Sequence, residues 1–296
     1  MTHSNSPLSQ HRREIRLVRF LSPSISESQD PPGTIHLELR HASLDDENTR
    51  YWALSYVWGD IADPIIIYVN NTPILIRRNL YAALIQLYKD TTAAATGHAP
   101  PWLWIDAICV QQLSVEEKTW QVRLMQYIFS QAEAVQMWLG PGTERSDMAM
   151  DFICRFGPRA MATGILNVGQ NANFRDDLRD AVSLHPGPSQ SLPIALAISD
   201  LMTREYWNRI WIVQEVALAS KARVLCGTKS VPLNIFDSAL SVVDISPRGF
   251  TGGLSGVFST CIPLQIRRST AGPAILLRFK STRHYLRDPG PYLRGR

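Results

Sequence analysis

The apolar stretch at residues 102–110 constrains the fold of this chain more than any other feature. It is apolar except for Asp106, it is rich in β-favouring side chains, and it is short for a free-standing helix. Such a run is typical of a strand buried on both faces, as in the centre of a parallel sheet. A carboxylate there is costly unless something pairs with it. Asp106 is therefore the first candidate for a functional site.

A helix and a second strand are predicted to follow. Ser114 fits an N-cap, and Glu117 three residues later completes a capping-box pattern. The predicted helix buries four side chains, Val122, Met125, Phe129 and Ala132. Residues 134–139 then form a strand, and the right-handed crossover rule makes the two strands parallel.

The remaining patterns predict an α/β fold with a largely parallel central sheet flanked by helices. Extra N-terminal strands are expected at residues 15–21, 35–40 and 52–58. A hairpin is predicted across 65–76, with Asn70-Asn71 at its turn. Asn79 fits the N-cap of a helix whose apolar stripe is Leu80, Leu84 and Leu87.

The second half of the chain is predicted to contain a helical insertion. Residues 147–156 and 192–202 have helical patterns, separated by a stretch rich in Gly, Asn and Pro. Residues 206–219, apolar nearly all round, indicate a buried helix or a strand running into one. A short strand is predicted at residues 222–226.

Composition suggests an ordinary globular domain at residues 15–245, with a polar, disordered N-terminus at 1–14. Residues 246–296 form a Gly/Pro/Arg-rich tail. From residue 247 onward it has nine basic residues and one acid, Asp288. Such a tail can bind nucleic acid or acidic membrane, or be a solvated appendage that is poorly ordered or loosely packed.

The chain has no apolar run near the ~20 residues of a membrane span and no apolar signal core at its N-terminus. Its four cysteines are scattered, which favours reduced thiols and a cytoplasmic location. No metal site is expected. Ordinary hydrolase, NTPase and dehydrogenase motifs are absent from the sequence.

Three segments contain more Trp, Tyr and polar residues than core packing requires. They are Tyr51-x-Ala-Leu-Ser-Tyr-x-Trp-Gly59, Trp104-Ile-Asp-Ala-Ile-Cys-x-x-Gln112 and Tyr206-x-x-Arg-Ile-Trp-Ile-Val-Gln-Glu215-x-Ala-Leu-Ala219. In this order they closely resemble the heterokaryon-incompatibility (HET) domain of filamentous fungi, with a motif core at residues 51–219.

Some positions depart from the family pattern. Gln111, Ser114 and Lys118 stand where the family usually has Asn, Asp and Arg. The end of the chain, around Tyr285, does not preserve the usual family segment. A truncated or altered C-terminal region is therefore expected.

The resemblance implies a role in fungal nonself recognition and regulated cell death. HET domains are also distantly similar to TIR domains, which have a flavodoxin-like fold. Some TIR domains cleave NAD through a glutamate that follows a tryptophan by four residues, as Glu215 follows Trp211. This similarity makes Glu215 a candidate catalytic acid and NAD a candidate substrate, with no permanently bound cofactor.

Each candidate also has a structural interpretation. Glu215 can instead form an ion pair with Arg209 or Arg204, and Asp106 can cap backbone N–H groups. The strand-end side chains Ser55, Tyr56 and Trp58 can contact a nicotinamide or adenine ring, although aromatics there are more often core. Arg209 can pair with a phosphate or with Glu215, and the second is favoured. Cys109 is interpreted as a core side chain.

Three functions remain open. The first is an NAD-processing death effector that uses Glu215 and Asp106, with Ser55, Tyr56, Trp58, Arg209 and Trp211 binding substrate. The second is a non-enzymatic signalling module that self-associates or binds another incompatibility protein. The third and weakest is a nucleic-acid binder that works through the basic tail.

Overall fold

The computed structural model describes most of the chain up to residue 245. The described ranges are 6–21, 33–93, 99–163, 171–183, 192–209, 212–245, 265–268 and 275–278. Within the N-terminal segment predicted to be disordered, residues 6–13 have a described path that includes a 3-10 helix at Gln10–Arg12. In the predicted tail, two short antiparallel strands are described. The remainder of the tail, and the prediction that it packs loosely, lie outside the described residues.

The strands are β1 (Glu14–Phe20), β2 (His36–Ser43), β3 (Trp52–Tyr56), β4 (Ile65–Val69), β5 (Thr72–Ile76), β6 (Leu103–Trp104), β7 (Ala134–Trp138), β8 (Ala222–Cys226), β9 (Lys229–Pro232), β10 (Gln265–Arg268) and β11 (Ile275–Arg278). The helices are α1 (Arg78–Ala93), α2 (Asp106–Cys109), α3 (Val115–Gln131), α4 (Glu144–Thr163), α5 (Ala172–Ser183), α6 (Leu192–Met202), α7 (Ile212–Ala217) and α8 (Leu233–Ile245).

Strands β1 to β9 form one mixed sheet in the order β5-β4-β2-β1-β6-β3-β7-β8-β9. Its central strands β6, β3, β7 and β8 are parallel, so the predicted α/β class and the parallel alignment of β3, β6 and β7 are confirmed. The sheet as a whole is less parallel than predicted. The N-terminal strand β1 runs antiparallel to both of its neighbours, and the two outer hairpins add further antiparallel pairs.

The predicted central strand at residues 102–110 is wrong beyond Trp104. Strand β6 has only two residues, and Asp106 begins the short helix α2 instead of lying within a strand. The N–H groups of Ile108 and Cys109 donate to the carbonyl oxygen of Ile105 at 3.0 and 2.7 Å. All three side chains are buried at the helical spacing i, i+3, i+4. Apolarity alone does not distinguish this turn of helix from a buried strand.

The hairpin β4–β5 is confirmed, with positive φ at Asn70 and Asn71 as its two-residue turn requires. The predicted N-cap at Asn79 is wrong, because α1 begins one residue earlier. The Asn79 side chain instead donates to the Val57 carbonyl at 2.6 Å and accepts from the Trp138 indole at 2.9 Å. It therefore connects the ends of β3 and β7. The predicted stripe of Leu80, Leu84 and Leu87 is buried.

Helix α3 begins as predicted. The Ser114 hydroxyl accepts the Glu117 N–H at 3.2 Å, which is the N-cap bond. The predicted burial of Val122 is wrong, since that side chain is exposed. The predicted burial of Phe129 is confirmed, and the other buried side chains of α3 are Gln121, Leu124 and Ile128.

Helices α4, α5 and α6 lie between β7 and β8, where the insertion was predicted. Helix α5 was not predicted, although its buried Phe174 and Leu178 have helical spacing. In the segment predicted at residues 206–219, the described parts are a 3-10 helix at Glu205–Asn208 and, from Ile212 onward, α7. The predicted strand β8 is confirmed.

Both edge strands of the nine-stranded sheet contain a proline, Pro73 in β5 and Pro232 in β9. Proline has no N–H to offer to an added strand, so it protects an edge against pairing with another chain. Association through these two edges is therefore disfavoured.

Candidate functional site

The predicted site residues lie where the parallel strands end. Strand β3 ends at Tyr56, and Trp58 lies two residues further on. Gly59 comes next, and its φ of +74° favours glycine. Strand β6 is followed by Asp106. Strands β3 and β7 are neighbours whose connections leave in opposite directions, towards β6 and β8. In open α/β sheets, ligands bind at the carboxyl edge beside such a point.

Glu215 lies in α7 and is held by a buried polar network. Its side chain is only 3% exposed. The Ser55 hydroxyl donates to Oε2, and the Arg209 guanidinium forms an ion pair with Oε1 at 3.3 Å. The Tyr206 hydroxyl lies 2.7 Å from Ser55 Oγ. Because Ser55 gives its only proton to Glu215, Tyr206 must donate to Ser55.

Asp106 is bound from β3 and from its own helix. The Trp58 indole donates to Oδ2 at 2.8 Å, and the Ala107 N–H donates to Oδ1 at 2.7 Å. The buried Tyr56 hydroxyl also hydrogen-bonds to this carboxyl group. Asp106 as a residue is less buried than Glu215, so it is the acid of the site that lies nearer to solvent.

The two carboxyl groups interact electrostatically and share one guanidinium, that of Arg209. Burial raises the pKa of Glu215, while Arg209 and Ser55 oppose the rise and Asp106 adds to it. Burial likewise raises the pKa of Asp106 against the bonds from Trp58 and Tyr56 and the charge of Arg209. Arg77 adds a second guanidinium at the same strand end, so the two acids and the two bases of the site are equal in number.

The structure brings most of the predicted site residues together. Asp106, Glu215 and the end of β3 converge, although they are distant in sequence. Ser55 is fully buried, and its hydroxyl is occupied by Glu215 and Tyr206, so it orients Glu215 and has no free group for a substrate. Arg209 pairs with Glu215, the favoured alternative. Trp211 lies outside the described residues.

Three further residues of the site were not singled out by the sequence. Tyr206 belongs to the buried network and opens the third motif, a position that could have suggested its role. Arg77 donates to the Gly59 carbonyl at 2.6 Å and lies over the Trp58 ring at 5.1 Å. Asn79 joins the strand ends. Cys109 is buried as predicted, with its sulfur 3.4 Å from the Ile105 N–H; burial raises the pKa of this thiol to about 12.

A buried ion pair fixes the helix that carries Asp106. Arg16 of β1 is fully buried, pairs with Glu117 and donates to the Cys109 carbonyl at 3.1 Å. Glu117 also accepts the Gln111 N–H at 2.8 Å, so it does not close the capping box as predicted. Burial opposes ionisation of Glu117, but the Arg16 and Gln111 hydrogen bonds and the charge of Arg16 hold its pKa below the usual value. This pair connects α2, α3 and β1.

Glu215 makes the stability of the fold depend on pH. Because folding raises the pKa of Glu215, its contribution is fully present below the unfolded value, near 4.5, and is lost as the pH rises through the folded value. The Glu215→Gln variant has no such titration. We expect its free energy of unfolding, relative to wild type, to increase as the pH rises from 4 towards neutral, measured by urea unfolding at several pH values. A difference that stays constant across this range would contradict the raised pKa.

Comparison with known families agrees with this architecture. The family model for "Heterokaryon incompatibility protein (HET)" matches residues 51–215, more than half of the chain, from the strand that carries Ser55 to the helix that carries Glu215. The chain belongs to the HET family.

A curated relative extends the match. The chain is 30% identical over 207 residues to "Heterokaryon incompatibility protein 6, OR allele" of Neurospora crassa. The matched part is 61% of this chain and 29% of the relative, so the chain spans less than a third of that protein. No solved structure matches the chain. Among the described residues, no helix has the length and apolarity to cross a membrane.

Proposed function

We propose that this protein acts in fungal nonself recognition, as an effector of heterokaryon incompatibility that triggers cell death. Membership of the HET family supports a role in incompatibility, and so does the similarity to an incompatibility protein of Neurospora crassa. Recognition of a second incompatibility protein and a cytoplasmic location belong to the same proposal.

The chemistry we propose is cleavage of NAD at the carboxyl edge of the sheet. The parallel strands, numbered along the chain, are ordered 2-1-3-4, as in flavodoxin-like sheets. This order supports the similarity to TIR domains. The single observation that carries the proposal is the convergence of Asp106 and Glu215 at the switch point of this sheet.

The acidic and aromatic side chains of the site are suited to the nicotinamide end of NAD. The two carboxyl groups lie near the guanidinium groups of Arg209 and Arg77, and Trp58 supplies an aromatic ring beside Asp106, with Arg77 over it. A positively charged pyridinium ring is attracted both by the acids and by aromatic faces. Arg209, which is 21% exposed, is the group that can exchange Glu215 for a ligand phosphate.

The reaction requires little proton transfer from the protein. The bond between nicotinamide nitrogen and ribose carbon breaks, and its electron pair returns to the ring, so nicotinamide leaves neutral. The ribose is left with oxocarbenium charge, which Asp106 and Glu215 stabilise until water adds and releases a proton. Stabilisation of developing charge by fixed groups in a dry site is a large catalytic effect.

A second candidate function is self-association without catalysis. One observation favours it: the outer face of α3 exposes apolar side chains that the described part of the fold leaves uncovered. Nucleic-acid binding through the basic tail stays a prediction.

The test of the proposal is expression of the chain in a fungal host, with cell death and cellular NAD followed together. We expect NAD to fall before viability does, and Asp106→Asn to prevent both. The control is Asp60→Asn, which changes an exposed aspartate beyond the end of β3 and should kill as wild type does. Death without loss of NAD would reject the catalytic proposal and favour the association function.

A further inference from the structure

The N-terminal half of α3 has an outward face that the described part of the fold leaves uncovered. Val115, Thr119 and Val122 lie on one side of the helix at the spacing i, i+4, i+7, and they line a groove of about 470 Å³. Val115 is 79% exposed, and Leu113 in the preceding loop is 76% exposed. Aliphatic side chains grouped in this way are typical of a surface that another protein covers.

This groove is basic. Lys118 and Arg123 line it, and no ion pair to either is found among the described residues. The opposite side of α3 is buried in the core through Leu124 and Ile128, so the groove lies on the side of the helix that faces away from the core. A partner must therefore offer apolar contacts together with carboxylates.

The same chain contains a surface of that chemistry. Helix α4 lines a groove of about 480 Å³ with Glu144, Asp147 and Asp151, together with the apolar Met148 and Phe152. Arg155 is the one base among its lining residues, and Asp151 is already paired with Lys229 of β9, so Glu144 and Asp147 are its acids without an ion pair among the described residues. The two surfaces have opposite excess charge, because Glu144 and Asp147 of the α4 surface outnumber Arg155.

We propose that the basic groove of α3 docks against the acidic groove of α4 in a second copy of this chain. Leu113 and Val115 would enter beside Met148 and Phe152, while Lys118 and Arg123 meet the carboxylates. Because the two surfaces differ, the contact is heterologous, and a dimer leaves one surface of each kind free, one on each copy. Assembly by this contact continues beyond dimers unless it closes into a ring.

The contact is also connected to the candidate site. Gln112 lines the basic groove, and its side-chain amide donates to the Asp106 carbonyl at 2.8 Å. A copy docked in the groove therefore touches a residue that holds the helix of Asp106. The docking proposal itself does not depend on NAD cleavage.

The experiment is sedimentation velocity of the full chain with two charge-reversed variants, one with Lys118→Glu and Arg123→Glu, the other with Glu144→Lys and Asp151→Lys. All four positions are exposed. We expect wild type to form concentration-dependent assemblies that salt weakens. Each variant alone should associate at least about tenfold more weakly than wild type. An equal mixture of the two should recover association, because every contact between unlike variants again brings grooves of opposite charge together.

Lys89→Glu, an exposed change on α1, is the control and should assemble as wild type does. A wild type that stays monomeric at every concentration would overturn the proposal and leave the groove to an acidic segment of another protein. Assembly that survives both double variants, or that mixing does not restore, would also overturn it. Urea unfolding of each variant separates loss of the contact from loss of the fold.

Discussion

Replacing Glu117 with alanine is expected to lower the free energy of unfolding by about 3–5 kcal/mol, because it leaves the guanidinium of Arg16 buried without its partner. Arg16 is fully buried, and its other bonds are to the carbonyls of Cys109 and Ser6. Carbonyl oxygens do not neutralise its charge. Equilibrium urea unfolding measures the loss.

The control is Glu116→Ala, which removes an exposed glutamate from the preceding position of α3. It should change the free energy of unfolding by no more than about 0.5 kcal/mol. The cost of Glu117→Ala should also shrink in acid. Folding lowers the pKa of Glu117, so its contribution is complete above the unfolded value, near 4.5, and is lost as the pH falls through the folded value. Equal effects of the two substitutions would contradict the buried-pair interpretation.

Replacing Glu215 with glutamine is expected to lower the rate of NAD cleavage about 100- to 1000-fold while the protein still folds. Glutamine keeps the volume and can accept the Ser55 hydrogen bond, but it has no charge to stabilise the ribose. Arg209 loses its partner, yet its side chain is partly exposed and can reach water. Product formation and urea unfolding, measured on the same preparation, separate the two effects.

Glu205→Gln is the matched control, since Glu205 is exposed on the 3-10 helix just before Arg209. It should leave both activity and stability near wild type. A Glu215→Gln protein that does not fold would make Glu215 half of a structural ion pair. Full activity in a folded Glu215→Gln protein would reject its catalytic role.

The parallel centre of the sheet was predictable because its strands are short, apolar and separated by a well-capped helix. Helix α2 was not, since Ile105, Ile108 and Cys109 fit both a buried strand and one buried turn of helix. Only tertiary contacts decide between them, here the bonds of Asp106 to Trp58 and of Arg16 to Cys109. The error did not move Asp106 away from the strand ends.

The candidate site was partly predictable for a similar reason. Three motifs rich in polar and aromatic residues indicated which segments meet, and a parallel sheet places their ends on one edge. The role of each side chain was harder to predict from the sequence. Ser55 was predicted to contact substrate, but its hydroxyl donates to Glu215. Its other partner, Tyr206, lies 151 residues later in the sequence. Hydrogen bonds over such separations leave no pattern in one sequence.

We propose that the acids at the carboxyl edge of the sheet cleave NAD. The most direct measurement is a time course of the purified chain with NAD at high protein concentration, followed by chromatography with an active homologue alongside. We expect wild type to form nicotinamide and ADP-ribose in equal amounts, and Glu215→Gln to form neither. An intact NAD peak over a folded wild-type chain, while the homologue consumes its NAD, would contradict the proposal.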